Sequence, residues 1–332
     1  MLLRYIARRL VIIIPILLAI SLISFFIIQL PPGDFMSTML QAIAAEGQPV
    51  SAADEARIEL LRARYGLDQP FHVQYLRWMG GIIFRGDFGY SFQWSRAVAA
   101  VIWSRLGLTL VLSVSSLLFT WVVAFPVGFY SAVRQYSVGD YTATFFGFLG
   151  LAIPNFLLAL VLLYAAFQWF GVVLGGLYAR EFIGEPWTWA KIVSLLQHIW
   201  IPVIVIGTAG TAGLIRILRN NLLDELKKPY VLTARAKGVP ATKLLLKYPV
   251  RIAIIPFLST VGWMLPAIFS GETIVALVLT LPTIGPVLFN ALIEQDMYLA
   301  GSIVFLLAVL TVIGTLISDI LLAVVDPRIR YD

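Results

Sequence analysis

Residues 222–256, LLDELKKPYVLTARAKGVPATKLLLKYPVRIAIIP, lie between two apolar runs that are each long enough to cross a lipid bilayer. Residues 216–251 carry nine Lys and Arg against two acids, Asp224 and Glu225. A short loop this basic between two membrane spans is typical of the cytoplasmic side of a membrane. The stretch therefore predicts a membrane protein whose chain passes through the cytoplasm at this loop.

The same stretch predicts a pair of short helices. Residues 230–237 have helical character, and Gly238 can end that helix in the left-handed conformation. Pro240 suits the first turn of a second helix. Two short helices joined at a glycine would form a compact elbow that a soluble partner could grip. The alternative is an ordinary positive-inside loop, which orients the protein and has no further role.

Several residues of this loop resemble a known family. TARAKG at 233–238, with Leu245, Arg251 and Pro256 after it, resembles the cytoplasmic coupling loop of ABC importer permeases, in the form found in the oligopeptide/dipeptide permease family. In that family the loop docks into a groove on the ATP-binding subunit and transmits nucleotide-driven motion to the membrane helices. The resemblance implies a coupling loop at 220–250 here. The residues expected to couple to the ATPase subunit are Tyr230, Thr233, Ala234, Arg235, Ala236, Lys237, Gly238, Lys243 and Lys247.

Composition excludes a soluble globular protein. Of the 332 residues, 60% are hydrophobic and only 13% are charged. The chain has no cysteine, so neither disulfides nor thiolate metal sites can form. The cationic excess behind the net charge of +6 lies beside membrane spans, where anionic lipid and the positive-inside rule account for it. Nucleic acid is therefore not an expected partner.

Apolar runs predict six transmembrane helices with both termini in the cytoplasm. The predicted spans are 10–30, 106–132, 141–170, 198–218, 252–271 and 300–325. The third is long and contains Pro154, which predicts tilt or a break. The fourth is rich in small residues, which predicts packing inside the bundle. Between the last two, Pro282, Gly285 and Pro286 interrupt an apolar run, which predicts a re-entrant or interfacial excursion.

The distribution of charge agrees with this topology. The predicted cytoplasmic segments hold fifteen Lys and Arg and the external ones nine, of which seven lie in a long region that is exempt from the rule. That region, 31–105, is the one stretch of soluble character and is predicted to contain a helix at 52–65. The first apolar run is too long for a signal peptide and is predicted to be a retained helix. The predicted organisation is an N-terminal transmembrane helix (1–30), an extracytoplasmic region (31–105) and a permease core with five transmembrane helices (106–332).

The resemblance covers nearly the whole chain. PGD at 32–34, GLDQP at 66–70, RGDFGYS at 85–91 and the ending DPRIRY at 326–331 are similar to peptide-permease sequence. The resemblance implies an all-α integral membrane protein with the six transmembrane helices of the type I ABC importer permease fold. It also implies a sizeable extracytoplasmic insertion between helices 1 and 2. It also implies a second homologous permease subunit, two ATP-binding subunits and an extracytoplasmic substrate-binding protein. The expected location is the bacterial inner membrane.

The sequence contains no motif for binding or hydrolysing ATP. A phosphate-binding loop needs a Gly-Lys pair, and the chain contains none. The chain is therefore not expected to be an enzyme or to hold a cofactor, and the partner subunits would bind ATP and Mg. The histidines, His72 and His198, lie far apart in sequence without a ligand cluster, so no metal site is expected.

Ionisable residues deep in predicted spans are candidates for function. Glu272 lies near the outer end of the fifth span, and with Asn155, in an element that resembles the family's, it is a candidate for the translocation pathway. Asp319 lies in the sixth span and is predicted to pair with an arginine of the coupling loop. The alternative for both acids is a helix-end position in water or among lipid headgroups.

The substrate is left open by one departure from the family. Peptide permeases often have a glutamate followed by Pro-Gly-x-Gly, whereas here PTIG at 282–285 replaces that pattern, ten residues after Glu272. Di- and oligopeptides are the family's usual substrates, but oligosaccharides, metal chelates and opines are alternatives. An ion-coupled secondary transporter is an alternative of another class. It would require paired broken helices or several buried ionisable groups.

Overall fold

The computed structural model of the protein describes residues 2–30, 56, 59–60, 63, 66–171, 174–260, 262 and 273–325. The helices of the N-terminal half are α1 (Leu2–Ile28), α2 (Phe71–Arg85), α3 (Val98–Val133), α4 (Val138–Ala152), α5 (Asn155–Phe170) and α6 (Trp189–His198). Those of the C-terminal half are α7 (Trp200–Leu226), α8 (Pro229–Ala236), α9 (Ala241–Lys247), α10 (Pro249–Ala253), α11 (Ile255–Ser259), α12 (Thr273–Val278), α13 (Ile284–Ile293) and α14 (Met297–Val325). An antiparallel hairpin pairs β1 (Tyr90–Ser91) with β2 (Arg96–Ala97), and a short 3-10 helix spans Arg180–Phe182.

Four of the described helices, α1, α3, α7 and α14, are long and apolar enough to cross a membrane. Helices α4 and α5 meet the same criterion together, as a pair bent by 103°, so the described residues hold up to five candidate spans. The predicted all-α membrane fold is confirmed, but the predicted count of six is not. The fifth predicted span lies partly outside the described residues, and its described part contains only short helices, α10 and α11.

The predicted break at Pro154 is confirmed. Ile153 is extended, with φ −82° and ψ 123°, because a following proline disfavours the helical conformation. The Pro154 carbonyl then accepts from the N–H groups of Leu157 and Leu158, at 2.9 and 3.1 Å, and starts α5. Backbone chemistry alone thus divides the third apolar run into two helices.

The segment between the last two predicted spans is interrupted, as its prolines indicate. It holds α12 and α13, and neither helix is long enough to cross a membrane by itself. The predicted helix at 52–65 lies mostly outside the described residues. The predicted fourth span also has different bounds: the structure continues α7 to Leu226 and forms a separate helix, α6, before it.

The described residues form two compact units. The first is built from the described residues of 1–9, 108–282 and 310–332, and the second from those of 10–107 and 283–309. Helices α1, α3 and α14 contribute to both. In the first unit, one apolar cluster joins α3, α5, α6, α7 and α12, and another joins α3, α7, α10 and α11. Helix α7 is thus common to both clusters.

The small residues of α7 permit this central position. More of its apolar window is buried, 56%, than of the windows of the other long helices, α1, α3 and α14. At Gly207 a Cβ would collide with the Phe119 ring, and the Gly207 carbonyl accepts from the Thr120 hydroxyl at 2.9 Å. The prediction that this helix packs inside the bundle is confirmed.

In the second unit, the hairpin lies against the start of α14. The Asp296 carboxylate accepts from the Ser91 hydroxyl at 2.6 Å, from the Gln93 N–H at 3.2 Å and from the Leu299 N–H at 3.4 Å. Asp296 is the residue before α14 and caps its N-terminus. Burial raises the pKa of Asp296 against these hydrogen bonds, which favour the ionised form.

Candidate functional site

The coupling loop contains two short helices joined at a glycine, as predicted. Helix α8 begins with Pro229 at its first position, where a missing N–H costs nothing, and ends at Ala236. Helix α9 follows, with Pro240 as the residue before it rather than in its first turn. The predicted bounds therefore differ from the observed ones by a single residue at these positions.

Gly238 ends α8 through a Schellman motif. Its φ is +72°, in the left-handed region. The Gly238 N–H donates to the Arg235 carbonyl at 3.0 Å, and the Val239 N–H donates to the Ala234 carbonyl at 3.2 Å. Apart from Gly238 itself and its neighbours along the chain, no atom lies within 4 Å of the position that a Cβ would take at Gly238. The glycine is thus required by the backbone conformation and not by lack of space.

The two helices share a small apolar core. Val231 and Ala234, one turn apart on α8, and Leu244 on α9 are buried against one another. Val239 and Tyr248 pack on this core. Helices of eight and seven residues are marginal alone in water, so this contact is what makes the pair one stable body.

The pair is attached to α7 on both sides. The Tyr230 hydroxyl donates to the Glu225 carboxylate in the last turn of α7. Partial burial and this hydrogen bond raise the pKa of the Tyr230 phenol, because both favour its protonated, donating form. After α9, Val250 and Ala253 of α10 pack in the apolar cluster that contains Leu222 of α7. The helix pair is thus connected to α7 through contacts at both of its ends.

The surface of the pair is cationic. Arg235, Lys237, Lys243 and Lys247 are all exposed. Within the ranges that the structure describes, none of the four forms an ion pair with a carboxylate. Most of the predicted coupling residues are exposed, and these are Tyr230, Thr233, Arg235, Ala236, Lys237, Gly238, Lys243 and Lys247. Ala234 differs, because it is buried between the helices and supports their packing.

Two of the nine basic residues lie on α7 and have other contacts. Arg219 donates from Nε and Nη2 to the two oxygens of Asp140, at 3.0 and 2.9 Å. The Arg216 guanidinium lies 4.9 Å from the centre of the Phe148 ring. Sequence reasoning missed the pair of Asp140 and Arg219. The signal that could have found it is an acid at the start of an apolar run, which needs a cationic partner.

Of the two candidate pathway residues, only Asn155 lies in the part of the chain that the structure describes. Asn155 is the first residue of α5, half-buried at the break, and Glu272 lies outside the described residues. The predicted partner of Asp319 is wrong. Its carboxylate pairs with Arg9 of α1 at 3.3 Å, while Arg251 donates to the Val325 carbonyl at the end of α14 at 3.5 Å. These partners depend on which helices pack against one another, and this packing cannot be predicted from the residues next to Asp319 in the sequence.

Comparison with known proteins identifies the family. Residues 124–331 match the family described as binding-protein-dependent transport system inner membrane component, and residues 2–113 match its N-terminal counterpart. The chain is 38% identical to the oligopeptide transport system permease protein AppB of Bacillus subtilis, over 98% of this chain and 99% of the relative. It is 34% identical to a putative peptide permease protein of Brucella ovis, over 99% of each chain. It is 29% identical to the dipeptide transport system permease protein DppB of Escherichia coli K12, over 99% of each chain.

These matches extend over nearly the full length of the chain and agree with its apolar helices. Members of this family are membrane permease subunits rather than ATPases, and they are multi-pass proteins of the inner membrane. The chain therefore belongs to the inner membrane components of binding-protein-dependent ABC importers, in the oligopeptide/dipeptide permease family.

Proposed function

We propose that this permease receives ATP-driven motion through α8 and α9 and uses it to import peptides. The observation that carries the proposal is the cationic helix pair, a single packed body attached to α7 on both sides. A loop that only oriented the protein would need its charges but neither a shared core nor a glycine-specific turn. Coupling requires a rigid link between the motor and the moving helices, and the shared core of the pair would supply it.

The motor in this proposal consists of two ATP-binding subunits, which hold the ATP and Mg. A second permease of similar fold completes the translocation pathway, and an extracytoplasmic substrate-binding protein delivers the solute. Closure of the ATPase pair would displace α8 and α9, and α7 would follow, because the two larger apolar clusters of the first unit both include it. Asn155 and Glu272 are the proposed pathway residues of this chain.

Two contacts support an orientation with both termini in the cytoplasm. Arg9 near the start of α1 pairs with Asp319 near the end of α14, and Arg251 just after the coupling loop contacts the Val325 carbonyl. These contacts bring the start of α1 and the end of α14 to the side of the coupling loop. The positive-inside rule assigns that side to the cytoplasm.

The relatives named for oligopeptide and dipeptide transport favour peptides as the substrate. Identification of the ligand held by the cognate substrate-binding protein tests this assignment. A bound peptide would support it. An oligosaccharide, a metal chelate or an opine in the same place would contradict it and leave the coupling mechanism intact.

Charge reversal tests the docking role of the helix pair. The double change Arg235→Glu and Lys237→Glu should lower the affinity for the ATPase subunits about tenfold, which corresponds to about 1.4 kcal/mol. The measurement is the yield of ATPase subunits that co-purify with the permease from membranes, together with the amount of permease inserted.

The matched control is Arg180→Glu, which changes an exposed arginine outside the loop. It should leave the co-purification yield as in the wild type. An unchanged yield in the double variant, at normal insertion, would rule out docking through these cations.

A further inference from the structure

A cavity of about 430 Å³ lies in the first unit, between α4 and the last turns of α7. Its volume is within the range of small-ligand sites, about 300–1,000 Å³. The coupling mechanism does not use this cavity. Its lining is polar at one end and apolar at the other, and this gradient indicates the class of ligand that it fits.

The gradient has the same direction on both helices. On α4 the lining changes from Asp140 near its start to Phe148 and Leu151 near its end. On α7 it changes from Asn220 and Arg216, in the second half of the helix, to Ala212 nearer its middle. Because the two helices run in opposite senses here, their polar ends coincide. The cavity thus has one cationic, hydrogen-bonding end and one apolar end.

The polar end has an uncompensated positive charge. Asp140 neutralises Arg219 through two hydrogen bonds. Arg216 is exposed, and among the residues that the structure describes no carboxylate forms an ion pair with it. Its guanidinium is held over the Phe148 ring, 4.9 Å from the ring centre. A guanidinium oriented in this way is suited to bidentate binding of a phosphate.

The depth of Arg216 fits a lipid headgroup, a point that rests on the proposed orientation of the chain. Helix α7 has 27 residues and is about 40 Å long, about 10 Å more than the hydrocarbon core. Arg216 is ten residues before its cytoplasmic end at Leu226, or about 15 Å. If the whole excess lies on the cytoplasmic side, the Arg216 backbone lies about 5 Å inside the hydrocarbon boundary, a depth from which a long arginine side chain reaches the phosphate level.

We propose that this cavity binds one anionic phospholipid of the cytoplasmic leaflet. Arg216 and Asn220 contact the phosphate, and one acyl chain lies along Phe148 and Leu151. Charge complementarity and the polar-to-apolar gradient select a phospholipid over a solute that is polar throughout. Because α7 continues from this site to α8, the lipid is bound to the helix that the coupling loop moves.

Retention of lipid by the purified transporter tests the proposal. The complete complex, with its ATPase subunits, is exchanged into detergent containing equal amounts of phosphatidylglycerol and phosphatidylcholine, and bound lipids are counted by native mass spectrometry. Wild type should retain phosphatidylglycerol in preference. Arg216→Gln should lower its retention about fivefold, the effect of one basic residue at an anionic membrane surface. Arg216→Lys should keep most of it.

The matched control is Arg134→Gln, which removes the same charge from an exposed position that does not line the cavity. This variant should retain phosphatidylglycerol like the wild type. Equal retention of the two lipids by the wild type, or equal retention of phosphatidylglycerol by both Gln variants, would overturn the proposal. Displacement of the lipid by inorganic phosphate at similar concentration would also overturn it, because the acyl chain would then contribute nothing.

A photoreactive amino acid in place of Leu151 shows whether a lipid or a protein occupies the cavity. In the wild-type background it should form an adduct with a phospholipid. An adduct with the second permease subunit would overturn the proposal and assign the cavity to the subunit interface. Neither result depends on where the ATPase subunits dock, so failure here is distinct from failure of the coupling loop.

Discussion

At the scale of single residues, Gly238 has the clearest physical requirement. Its φ of +72° costs most L residues about 1–2 kcal/mol, and a β-branched side chain is the least compatible with it. Gly238→Val should therefore break the Schellman turn and shift α9 relative to α8. We expect uptake and substrate-stimulated ATPase activity to fall strongly, while the amount of permease in the membrane is unchanged.

Gly238→Asn is the matched control for this change. Asparagine tolerates the left-handed conformation, and the space around Gly238 accommodates its side chain. This variant should keep most of the uptake. Full transport by Gly238→Val would show that the turn geometry is not needed for coupling.

Asp296 allows a prediction for pH, because burial raises its pKa above the ordinary value of 3.8. The folded state then binds the proton more tightly than the unfolded state. The stability that this group contributes is full below 3.8 and is lost as pH rises through the raised pKa. The thermal stability of the wild type should therefore fall as the pH rises above 3.8. In the Asp296→Asn variant this fall should be smaller.

The Asn variant keeps one side-chain acceptor, for the N–H group of either Gln93 or Leu299, which bind different oxygens of Asp296, whereas Asp296→Ala keeps none. The Ala change should cost about 1–3 kcal/mol through the lost helix cap and unsatisfied donors. Both effects are measured by the melting temperature of the purified permease between about pH 4 and about pH 7, the range above the ordinary pKa of an aspartate. Identical pH slopes in wild type and Asp296→Asn would contradict the assignment.

At the scale of helices, the start of α4 is joined to α7 by Asp140 and Arg219. The Asp140 side chain is only 4% exposed and that of Arg219 22%, so loss of either partner leaves a poorly solvated charge. Asp140→Asn or Arg219→Gln alone should cost about 2–4 kcal/mol, with some relief because Arg219 reaches solvent. The double variant should cost less than the sum of the single ones.

A double-mutant cycle on thermal stability measures this coupling, which we expect to be about 0.5–3 kcal/mol. Asp140→Asn combined with Arg180→Gln, an exposed arginine outside the pair, should be additive within about 0.5 kcal/mol. Additivity in both cycles would show that the observed hydrogen bonds do not contribute to stability.

The sequence predicts well those structural features that are determined by residues adjacent in the chain. The break at Pro154 and the end of α8 at Gly238 follow from the φ angles that proline and glycine impose or permit. The ends of the membrane helices were predicted less well. Hydropathy locates the apolar part of a helix, whereas α7 continues to Leu226 through a more polar stretch, in which Arg219, Glu225 and the leucines are good helix formers.

What the sequence does not predict is which distant side chains meet. Asp140 and Arg219 are 79 positions apart, and their contact requires that α4 packs on α7. The prediction for Asp319 was wrong for the same reason. Its partner, Arg9, lies at the opposite end of the chain, and their contact requires that α1 and α14 come together. A buried carboxylate indicates that a partner exists, but only the fold identifies it.

At the scale of the whole molecule, function depends on which side of the membrane each segment faces. Every residue between Arg180 and Lys243 is described, and α7 is the only candidate span among them. These two positions must therefore lie on opposite sides if α7 crosses the membrane, whatever the total number of spans. The coupling mechanism further requires Lys243 on the cytoplasmic side, where ATP is available.

Single cysteine variants test this orientation without background, because the chain has no cysteine of its own. Arg180→Cys should react with a membrane-impermeant maleimide in intact cells, whereas Lys243→Cys should react only after permeabilisation. Assembly with the ATPase subunits should then protect Lys243→Cys but not Arg180→Cys, because the proposed docking surface covers only the former. Labelling of both variants from the same side would mean that α7 does not span the membrane. Labelling of Lys243→Cys in intact cells would place the helix pair where no ATPase can reach it and would exclude its role in coupling.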